Sequence, residues 1–372
     1  MKRGMLFWVH ALVSASIALF VATTGWSQSL TWLGTLDGSF SVAYSVSADG
    51  SVVVGMARNS TEQDRAFRWT AANGMQDLGT LGGGRSWALG ISADGSVAVG
   101  MAQNAAGHNR AFRWENGLMQ DLGALGGSFS EAYGVSADGV VVVGLTRNAA
   151  GQYRAFRWTA ANGMQDLGAL GGTESWAHGV SADGSVVVGY AQNAAGQRRA
   201  FRWENGAMQD LGALGGSFSE AYGVSADGVV VVGLTRNAAG QYRAFRWTAA
   251  NGMQDLGALG GAESWAYGVS ADGSVVVGMA QNAAGRDRAF RWTAAGGIED
   301  LNSAYASLLT DGSVLWSAMT LSPNGRYIVG QGFNAATGRY EGYLLDTVPE
   351  PASLLALGAG LTGLLRLRRR TR

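Results

Sequence analysis

The sequence predicts an all-β protein, a seven-bladed β-propeller of four-stranded antiparallel blades whose ring is closed by the N-terminal strand. Three observations predict this fold: a repeat of constant length, four strand-like runs in each repeat, and a single unpaired strand-like run at the N-terminus. Helical patterns occur only in the two terminal signals and in a short segment at Leu301 to Leu309.

The repeat is marked by the turn "SADG", which occurs six times and once as the variant "SPNG" at residues 322–325. The aspartates of the six turns are separated by 45, 44, 45, 44 and 45 residues. These seven copies define units 1 to 7. A period of about 44 residues is typical of one propeller blade, whereas solenoid repeats usually take about 20 to 30 residues.

Each unit contains four runs separated by turn signals, for example "AYGVS", "VVVVG", "RAFRW" and "MQDLG". Asp-Gly and Asn-Gly turns favour hairpins in which both central residues have positive φ, so consecutive runs are predicted to be antiparallel neighbours. Valines on both faces of the second run, as in Val140 to Val143, predict a strand buried between two other sheets.

The two ends of the repeat array complement each other. Unit 7 ends with "YEGYLLD" and has no fourth strand, while "LTWLGTL" at residues 30–36 is a fourth strand without a unit. We therefore expect the N-terminal strand to complete the last blade and remove the open sheet edge. An open array with a capped end is the structural alternative.

The N-terminus has the pattern of a secretory signal peptide. Lys2 and Arg3 precede an apolar run, and Gly25 and Ser27 have the small-x-small spacing of a signal peptidase site. We predict a signal peptide at residues 1–27, cleaved after Ser27 by signal peptidase. An uncleaved anchor is the alternative.

The C-terminus combines Pro349, Glu350 and Pro351 with an apolar segment and an arginine cluster that includes Arg368, Arg369 and Arg370. The segment is marginally long enough for a short transmembrane helix, and the arginines would remain cytoplasmic. This order resembles the PEP-CTERM sorting signal, here residues 348–372. The resemblance implies transient anchoring in the inner membrane of a Gram-negative bacterium and cleavage by an exosortase. It further implies a cell-surface or exopolysaccharide setting. An ordinary tail anchor is the alternative.

Residues 28–347 form the predicted propeller domain, and removal of both signals changes its charge. The chain has 27 basic and 27 acidic residues, but residues 1–27 hold two of the basic ones, the tail after Pro351 holds five, and neither segment holds an acidic residue. The mature net charge is therefore −7, which argues against nucleic acid as a partner. There are no cysteines, so no disulfide stabilises the exported protein.

The combination of "SADGSVVVG", "RAFRW" and "MQDLG" resembles the HAF repeats of bacterial extracellular proteins, and the likeness spans nearly all of the mature chain. It implies a secreted or surface repeat protein without an assigned catalytic role. Arginine stands here where the family name has histidine.

The repeated motifs are interpreted as structural. In "RAFRW", strand alternation places Arg65, Phe67 and Trp69 on one face, where the rings pack between blades with arginine stems over them. The "SADG" aspartates are interpreted as turn residues rather than calcium ligands. The "QDLG" aspartates are interpreted as charges that keep the edge strand from pairing with another sheet edge. No cofactor and no metal are expected.

Variation between units points to a candidate ligand-binding rim. Seven and five residues before the "SADG" serine, aromatic and charged residues exchange places in what we expect to be loops near the channel. The candidates are Trp87, Phe129, Glu131, Glu174, Trp176, Phe218, Glu220, Glu263 and Trp265. Tyr44, Tyr133, His178, Tyr222 and Tyr267 follow two positions later. Aromatic faces beside carboxylates suit glycans, but the same rings could simply fill the wedge between blades.

These observations predict a non-catalytic binding or structural module associated with extracellular polysaccharide or biofilm matrix. An enzyme is the alternative, a glycoside hydrolase or lyase in which Glu131 and Glu174 supply the acid and base. No nucleophile, phosphate loop or metal-ligand motif supports it, so no catalytic residue is predicted. A self-associating adhesive scaffold is the third interpretation.

Overall fold

A computed structural model describes residues 28–347 of the chain. The predicted signal peptide at residues 1–27, its cleavage site at Ser27 and the predicted helix within residues 348–372 lie outside the described residues. Within residues 28–347 the regular secondary structure is almost entirely β-strand, as predicted.

The strands follow the predicted units. The chain begins with β1 (Ser29–Trp32). Unit 1 contains β2 (Asp37–Val46), β3 (Val52–Asn59), β4 (Asp64–Thr70) and β5 (Gly74–Asp77). Unit 2 contains β6 (Gly82–Ile91), β7 (Val97–Asn104), β8 (Asn109–Glu115) and β9 (Leu118–Asp121). Unit 3 contains β10 (Gly126–Val135), β11 (Val142–Asn148), β12 (Tyr153–Thr159) and β13 (Gly163–Asp166).

The later units repeat this pattern. Unit 4 contains β14 (Gly171–Val180), β15 (Val186–Asn193), β16 (Arg198–Glu204) and β17 (Ala207–Asp210). Unit 5 contains β18 (Gly215–Val224), β19 (Val231–Asn237), β20 (Tyr242–Thr248) and β21 (Gly252–Asp255). Unit 6 contains β22 (Gly260–Val269), β23 (Val275–Asn282), β24 (Asp287–Thr293) and β25 (Gly297–Asp300). Unit 7 contains β26 (Val314–Leu321), β27 (Tyr327–Asn334) and β28 (Arg339–Asp346).

Two short helices connect units 6 and 7, where the sequence predicts a helical segment. They are α1 (Leu301–Ala304) and a 3-10 helix at Ala306–Leu308. The Asp300 side chain caps α1 by accepting a hydrogen bond from the Asn302 backbone N–H. Neither of these helices, the ones found in residues 28–347, is long and apolar enough to cross a membrane.

Units 2 to 6 each form a separate four-stranded antiparallel sheet in sequence order. Units 7 and 1 share an eight-stranded sheet, in which a single parallel bridge joins Phe40 of β2 to Tyr340 of β28. The N-terminal strand β1 pairs antiparallel with β28, with Ser29 opposite Asp346 and Trp32 opposite Tyr343. The predicted partner of the unpaired N-terminal strand is therefore the one found.

The hydrophobic core lies between neighbouring sheets rather than within one of them. Each of seven buried clusters combines residues of two units. Six clusters join units that are consecutive in sequence. The seventh joins the last unit to the first, since it contains Leu33 and Val329 together with Phe67 of unit 1.

A serine of the first strand links adjacent units by two hydrogen bonds. Ser130 Oγ accepts from the Ala111 N–H at 2.9 Å and donates to the Gly123 carbonyl at 2.6 Å. Ser41 makes the same two bonds across the chain ends, to the Gly342 N–H at 2.9 Å and the Gly34 carbonyl at 2.6 Å. The terminal segments are thus held to unit 1 by the contacts that join consecutive units.

In the "RAFRW" motif the phenylalanine packs in the core and the arginines make polar contacts. The first arginine binds the "QDLG" aspartate, as Arg65 Nε binds Asp77 at 3.0 Å. In four copies the second donates to a carbonyl of the next unit, as Arg202 Nε donates to Gly228 O at 2.9 Å. The phenylalanine of each copy is fully buried.

Two details of the turns differ from prediction. Among the described residues Asn116 and Asn205 have positive φ, as predicted for Asn-Gly hairpins, but in the "ANG" and "SADG" turns only the glycine does. The "SADG" aspartate instead accepts side-chain and backbone hydrogen bonds, such as those from Ser92 Oγ and Ser96 N to Asp94. Val140 belongs to such a turn and is 53% exposed, so the buried run starts one residue later.

Candidate functional site

All nine candidate rim residues lie in first strands, not in the connecting loops that the sequence predicts. Trp87 is in β6, Phe129 and Glu131 in β10, Glu174 and Trp176 in β14, Phe218 and Glu220 in β18, and Glu263 and Trp265 in β22. The first strand begins earlier than predicted because its opening glycine pairs with the end of the second strand, as Gly126 pairs with Asn148.

The aromatic candidates form stacks that cross from one unit to the next. Phe129 packs edge-on against Tyr153 with ring centroids 5.8 Å apart, and Tyr153 stacks on Trp176 at 5.5 Å. Tyr190 stacks on Trp176 at 4.6 Å. Because rings of two units stack on it, the Trp176 indole fills space between units.

A second stack repeats the first in units 5 and 6. Phe218 packs edge-on against Tyr242 at 5.8 Å, and Tyr242 stacks on Trp265 at 6.2 Å. In both stacks an arginine lies over the tyrosine: Arg147 is 4.6 Å from the Tyr153 ring, and Arg236 is 4.5 Å from the Tyr242 ring. Trp87 differs, since its indole N–H is buried without a hydrogen-bond partner.

Two of the acidic candidates are fixed by tyrosines. The Tyr133 hydroxyl donates to Glu131 Oε2 at 2.7 Å, and the Tyr222 hydroxyl donates to Glu220 Oε2 at 2.7 Å. The remaining oxygens have different partners. Glu131 Oε1 accepts from the Asn109 amide at 3.3 Å, whereas Glu220 Oε1 pairs with Arg198 at 3.4 Å.

The tyrosines lead to a central cavity of about 230 Å³. It is lined by first strands of all seven units, and each unit contributes the residue three positions before its "SADG" or "SPNG" serine. These residues are Tyr44, Leu89, Tyr133, His178, Tyr222, Tyr267 and Met319. A second cavity of about 210 Å³ lies toward the "SADG" turns and is lined by their alanines.

Four consecutive rings form an arc along the cavity wall. Tyr133 and His178 have ring centroids 5.0 Å apart, His178 and Tyr222 5.3 Å, and Tyr222 and Tyr267 5.8 Å. Tyr190 approaches the imidazole from the second strand, at 5.6 Å. The site that the structure forms is therefore a continuous aromatic wall, with Glu131 and Glu220 at its tyrosine hydroxyls.

Burial keeps this wall electrically neutral. It raises the pKa of Tyr133 and Tyr222 far above the usual value, and the neighbouring Glu131 and Glu220 add to the effect. Burial raises the pKa of Tyr267 to about 12, with a further contribution from Asp287. Burial lowers the pKa of His178 to about 4, so the imidazole is neutral at physiological pH.

Sequence reasoning did not select Tyr190 and Arg198, which adjoin the candidate residues, and it named His178 only as a neighbour of the rim. Each is unlike its counterparts: the other units have Tyr, Leu or Met where unit 4 has His178, and Met, Leu or Gln where it has Tyr190. Arg198 replaces Asp, Asn or Tyr. An alignment of the seven units, compared position by position, would have identified all three residues. In the structure they lie near one another and near Trp176.

The "SADG" aspartates behave as turn residues. Hydrogen bonds from two serines and from the backbone lower the pKa of Asp94 and Asp183 to about 2. In residues 28–347 no group of acidic, histidine or cysteine side chains is arranged to hold a metal ion.

The comparisons with known proteins concern the two parts of the chain separately. Residues 347–370 match the PEP-CTERM protein-sorting motif, as predicted from Pro349, Glu350 and Pro351. This motif implies a secreted protein that an exosortase processes and that is sorted to the cell surface or exterior. No curated protein matches the chain.

Three solved structures resemble the folded part. The β-propeller domain of the trilobed protease from Pyrococcus furiosus matches with a TM-score of 0.53 and 11% identity, over 83% of this chain and 95% of that one. The chain has a β-propeller fold. A puromycin-hydrolyzing peptidase from Mycobacterium tuberculosis matches with a TM-score of 0.54 and 17% identity, over 82% of this chain.

TolB from Acinetobacter baumannii matches with a TM-score of 0.47 and 12% identity, over 80% of this chain. The match covers 64% of the length of TolB and 52% of the length of the peptidase. At these identities the likeness concerns the fold alone.

Proposed function

We propose that the propeller has seven blades in a closed ring, so that the eight-stranded sheet is two blades, units 7 and 1. Three contacts support closure: the β1–β28 pairing, the Ser41 hydrogen bonds and the cluster shared by Leu33, Val329 and Phe67. The cavity lined by all seven first strands supports the blade count. Membership of the HAF-repeat family belongs to this proposal.

We further propose that the exported propeller is a non-catalytic module that binds extracellular polysaccharide at the tyrosine end of its channel. Glu131 carries this proposal, since its carboxylate is held between the Tyr133 hydroxyl and the Asn109 amide beside an aromatic cavity. Carboxylates accept hydrogen bonds from sugar hydroxyls, and aromatic rings pack against the C–H faces of sugars.

A purely structural scaffold is the second candidate function. It is favoured by Trp176, which is stacked between Tyr153 and Tyr190 and so contributes to packing between blades. In this case the aromatic differences between units would reflect the filling of each wedge, and no glycan would bind.

A glycan array with the full chain in nonionic detergent tests the proposal. We expect selective binding that Glu131→Gln abolishes and that Glu115→Gln preserves. Glu115 is a matched control because it lies at the end of β8 that is opposite Asn109, beside the turn to β9. Glu115→Gln changes the net charge by the same amount as Glu131→Gln. Mass spectrometry of each bound glycan reports any cleavage. Turnover would contradict the non-catalytic role, and absence of binding would favour the scaffold.

A further inference from the structure

Carboxylates lie beside the aromatic rings at the tyrosine end of the channel. Burial raises the pKa of four cavity tyrosines, and a neighbouring carboxylate adds to the effect in each case. The pairs are Tyr44 with Asp64, Tyr133 with Glu131, Tyr222 with Glu220, and Tyr267 with Asp287. At such a wall, a carboxylate without a cationic partner favours a positively charged group over a neutral or negative one.

The arc of rings has the chemistry of a cation-binding cage. The electron-rich face of an aromatic ring attracts a cation within about 6 Å of its centroid, and several such rings recognise ammonium groups. Tyr133, His178 and Tyr222 follow one another at 5.0 and 5.3 Å along the cavity. His178 does not oppose a cation because its imidazole is neutral.

Two segments of identical sequence show which carboxylate is available to such a cation. Residues 119–172 and 208–261 are identical in sequence, so Glu131 and Glu220 occupy equivalent positions. The preceding unit supplies different partners: neutral Asn109 for Glu131 and cationic Arg198 for Glu220. Glu220 is thereby neutralised and is only 8% exposed, while Glu131 is more accessible and its partners leave its charge uncompensated.

We propose that the cavity bordered by Tyr133, His178 and Tyr222 binds the protonated amino group of an amino sugar, with Glu131 as its counter-ion. This inference rests on the proposed function and specifies its ligand as a polysaccharide that carries free amines. The mature charge of −7 assists, because it attracts a cationic polymer over distances longer than a contact. Arg85 donates to the Asn109 side-chain oxygen, so Asn109 lies between its guanidinium and Glu131.

Isothermal titration of the full chain in nonionic detergent tests the inference. The ligands are a glucosamine tetramer, the N-acetylglucosamine tetramer of the same length, glucosamine itself and choline. At about pH 6 an amine is protonated and a glutamate is ionised. We expect the glucosamine tetramer to bind at least tenfold more tightly than the acetylated one, because acetylation replaces the charged amine with a larger, neutral amide.

Two variants test the role of Glu131 independently. Glu131→Gln removes the counter-ion, and Asn109→Arg gives Glu131 the cationic partner that Glu220 already has. Each is expected to weaken the glucosamine tetramer about tenfold, equivalent to about 1.4 kcal/mol. Glu115→Gln is expected to change it less than twofold. If Glu131→Gln fails to fold, Asn109→Arg still decides the question.

The outcomes separate this inference from the proposed function. Equal or tighter binding of the acetylated tetramer would leave polysaccharide binding intact and overturn the amine site. Binding of free glucosamine without either tetramer would support the amine site and contradict a polysaccharide ligand. A preference for choline over glucosamine would point to a lipid headgroup and overturn the amino sugar. No binding of any ligand would overturn both proposals.

Discussion

At the scale of single residues, a chain of near-identical repeats provides its own reference for what the fold requires. Tyrosine occupies the cavity position in units 1, 3, 5 and 6, so it satisfies the packing there, whereas His178 is a departure that packing does not demand. Tyr190 and Arg198 depart in the same unit. Arg198 lies 5.3 Å from the Tyr190 ring, and Tyr190 contacts His178. These changes therefore modify one site.

His178 makes stability depend on pH in a defined direction. Burial lowers the pKa to about 4 in the folded chain, against about 6.5 when unfolded, so the unfolded chain binds the proton more readily. Stability is therefore complete above about pH 6.5 and falls as the pH drops toward 4. The loss is at most about 3 kcal/mol, and water in the cavity would reduce it.

Urea unfolding of the wild type and of His178→Tyr at pH 7 and pH 4.5 measures this effect. Tyrosine is the matched replacement because four other units carry it at this position. We expect the variant to lose clearly less stability between the two pH values than the wild type. An identical loss in both proteins would show that the imidazole is solvated.

At the scale of the strand, one feature recurs in all seven units. The first strand shifts register near its end, as between Ala132 and Gly134, and a carbonyl of that strand then lies over a glycine in the middle of the second strand. A Cβ on Gly100 would lie 1.9 Å from the Trp87 carbonyl oxygen, and one on Gly144 would lie 2.0 Å from that of Glu131. The glycine of "VVVG" therefore permits the register shift that places the cavity residues.

Gly100→Ala is expected to destabilise the chain by about 3 kcal/mol, because its methyl group meets backbone that must move. Gly84→Ala in the same unit is the control, since its Cβ would lie 3.6 Å from the nearest heavy atom, the flexible Gln103 side chain. We expect the control to change stability by less than about 0.5 kcal/mol. Urea midpoints compare the two, and similar midpoints would show that the close approach is not required.

The sequence was sufficient for the strands but not for the site. Turn residues and the constant period predict four antiparallel strands per unit and the position of β1, because these depend on local chemistry. The stacks on Trp176 and the different partners of Glu131 and Glu220 depend on which units face each other. Residues 131 and 220 are both glutamate, but the preceding unit gives each of them a different hydrogen-bond partner. The sequence of a single motif does not reveal this difference.

At the scale of the whole molecule, backbone hydrogen bonds run around the second cavity from unit to unit. The Ala48 N–H donates to Ala93 O at 2.9 Å, and equivalent bonds continue through the "SADG" alanines to one from Ala271 N–H to Pro323 O at 2.8 Å. The seventh position cannot continue this series, since proline has no N–H. In the proposed ring the junction of units 7 and 1 therefore depends more on β1 and Ser41 than the other junctions do.

The proposed closure can be tested with a disulfide, because the chain contains no cysteine that would interfere. Thr31 and Leu344 are direct partners in the β1–β28 ladder, and antiparallel partners have Cα atoms about 4.5 to 5.5 Å apart, within disulfide range. Mild oxidation of the Thr31→Cys, Leu344→Cys variant should form an intramolecular bond, detected by mass spectrometry. The loop it closes contains nearly all of the propeller, so we expect stabilisation of up to about 5 kcal/mol.

A second pair, Thr31→Cys with Ser128→Cys, controls for random oxidation, since Ser128 is an exposed residue of unit 3 and is not a partner of β1. We expect no bond in this pair. If the first pair also stays reduced, β1 does not occupy the edge of β28 in solution, and the ring would be open at the junction where Pro323 already removes one hydrogen bond. The contacts of Ser41 would then be insufficient to hold the two ends together, and the shared channel end formed by all seven first strands would lose its support.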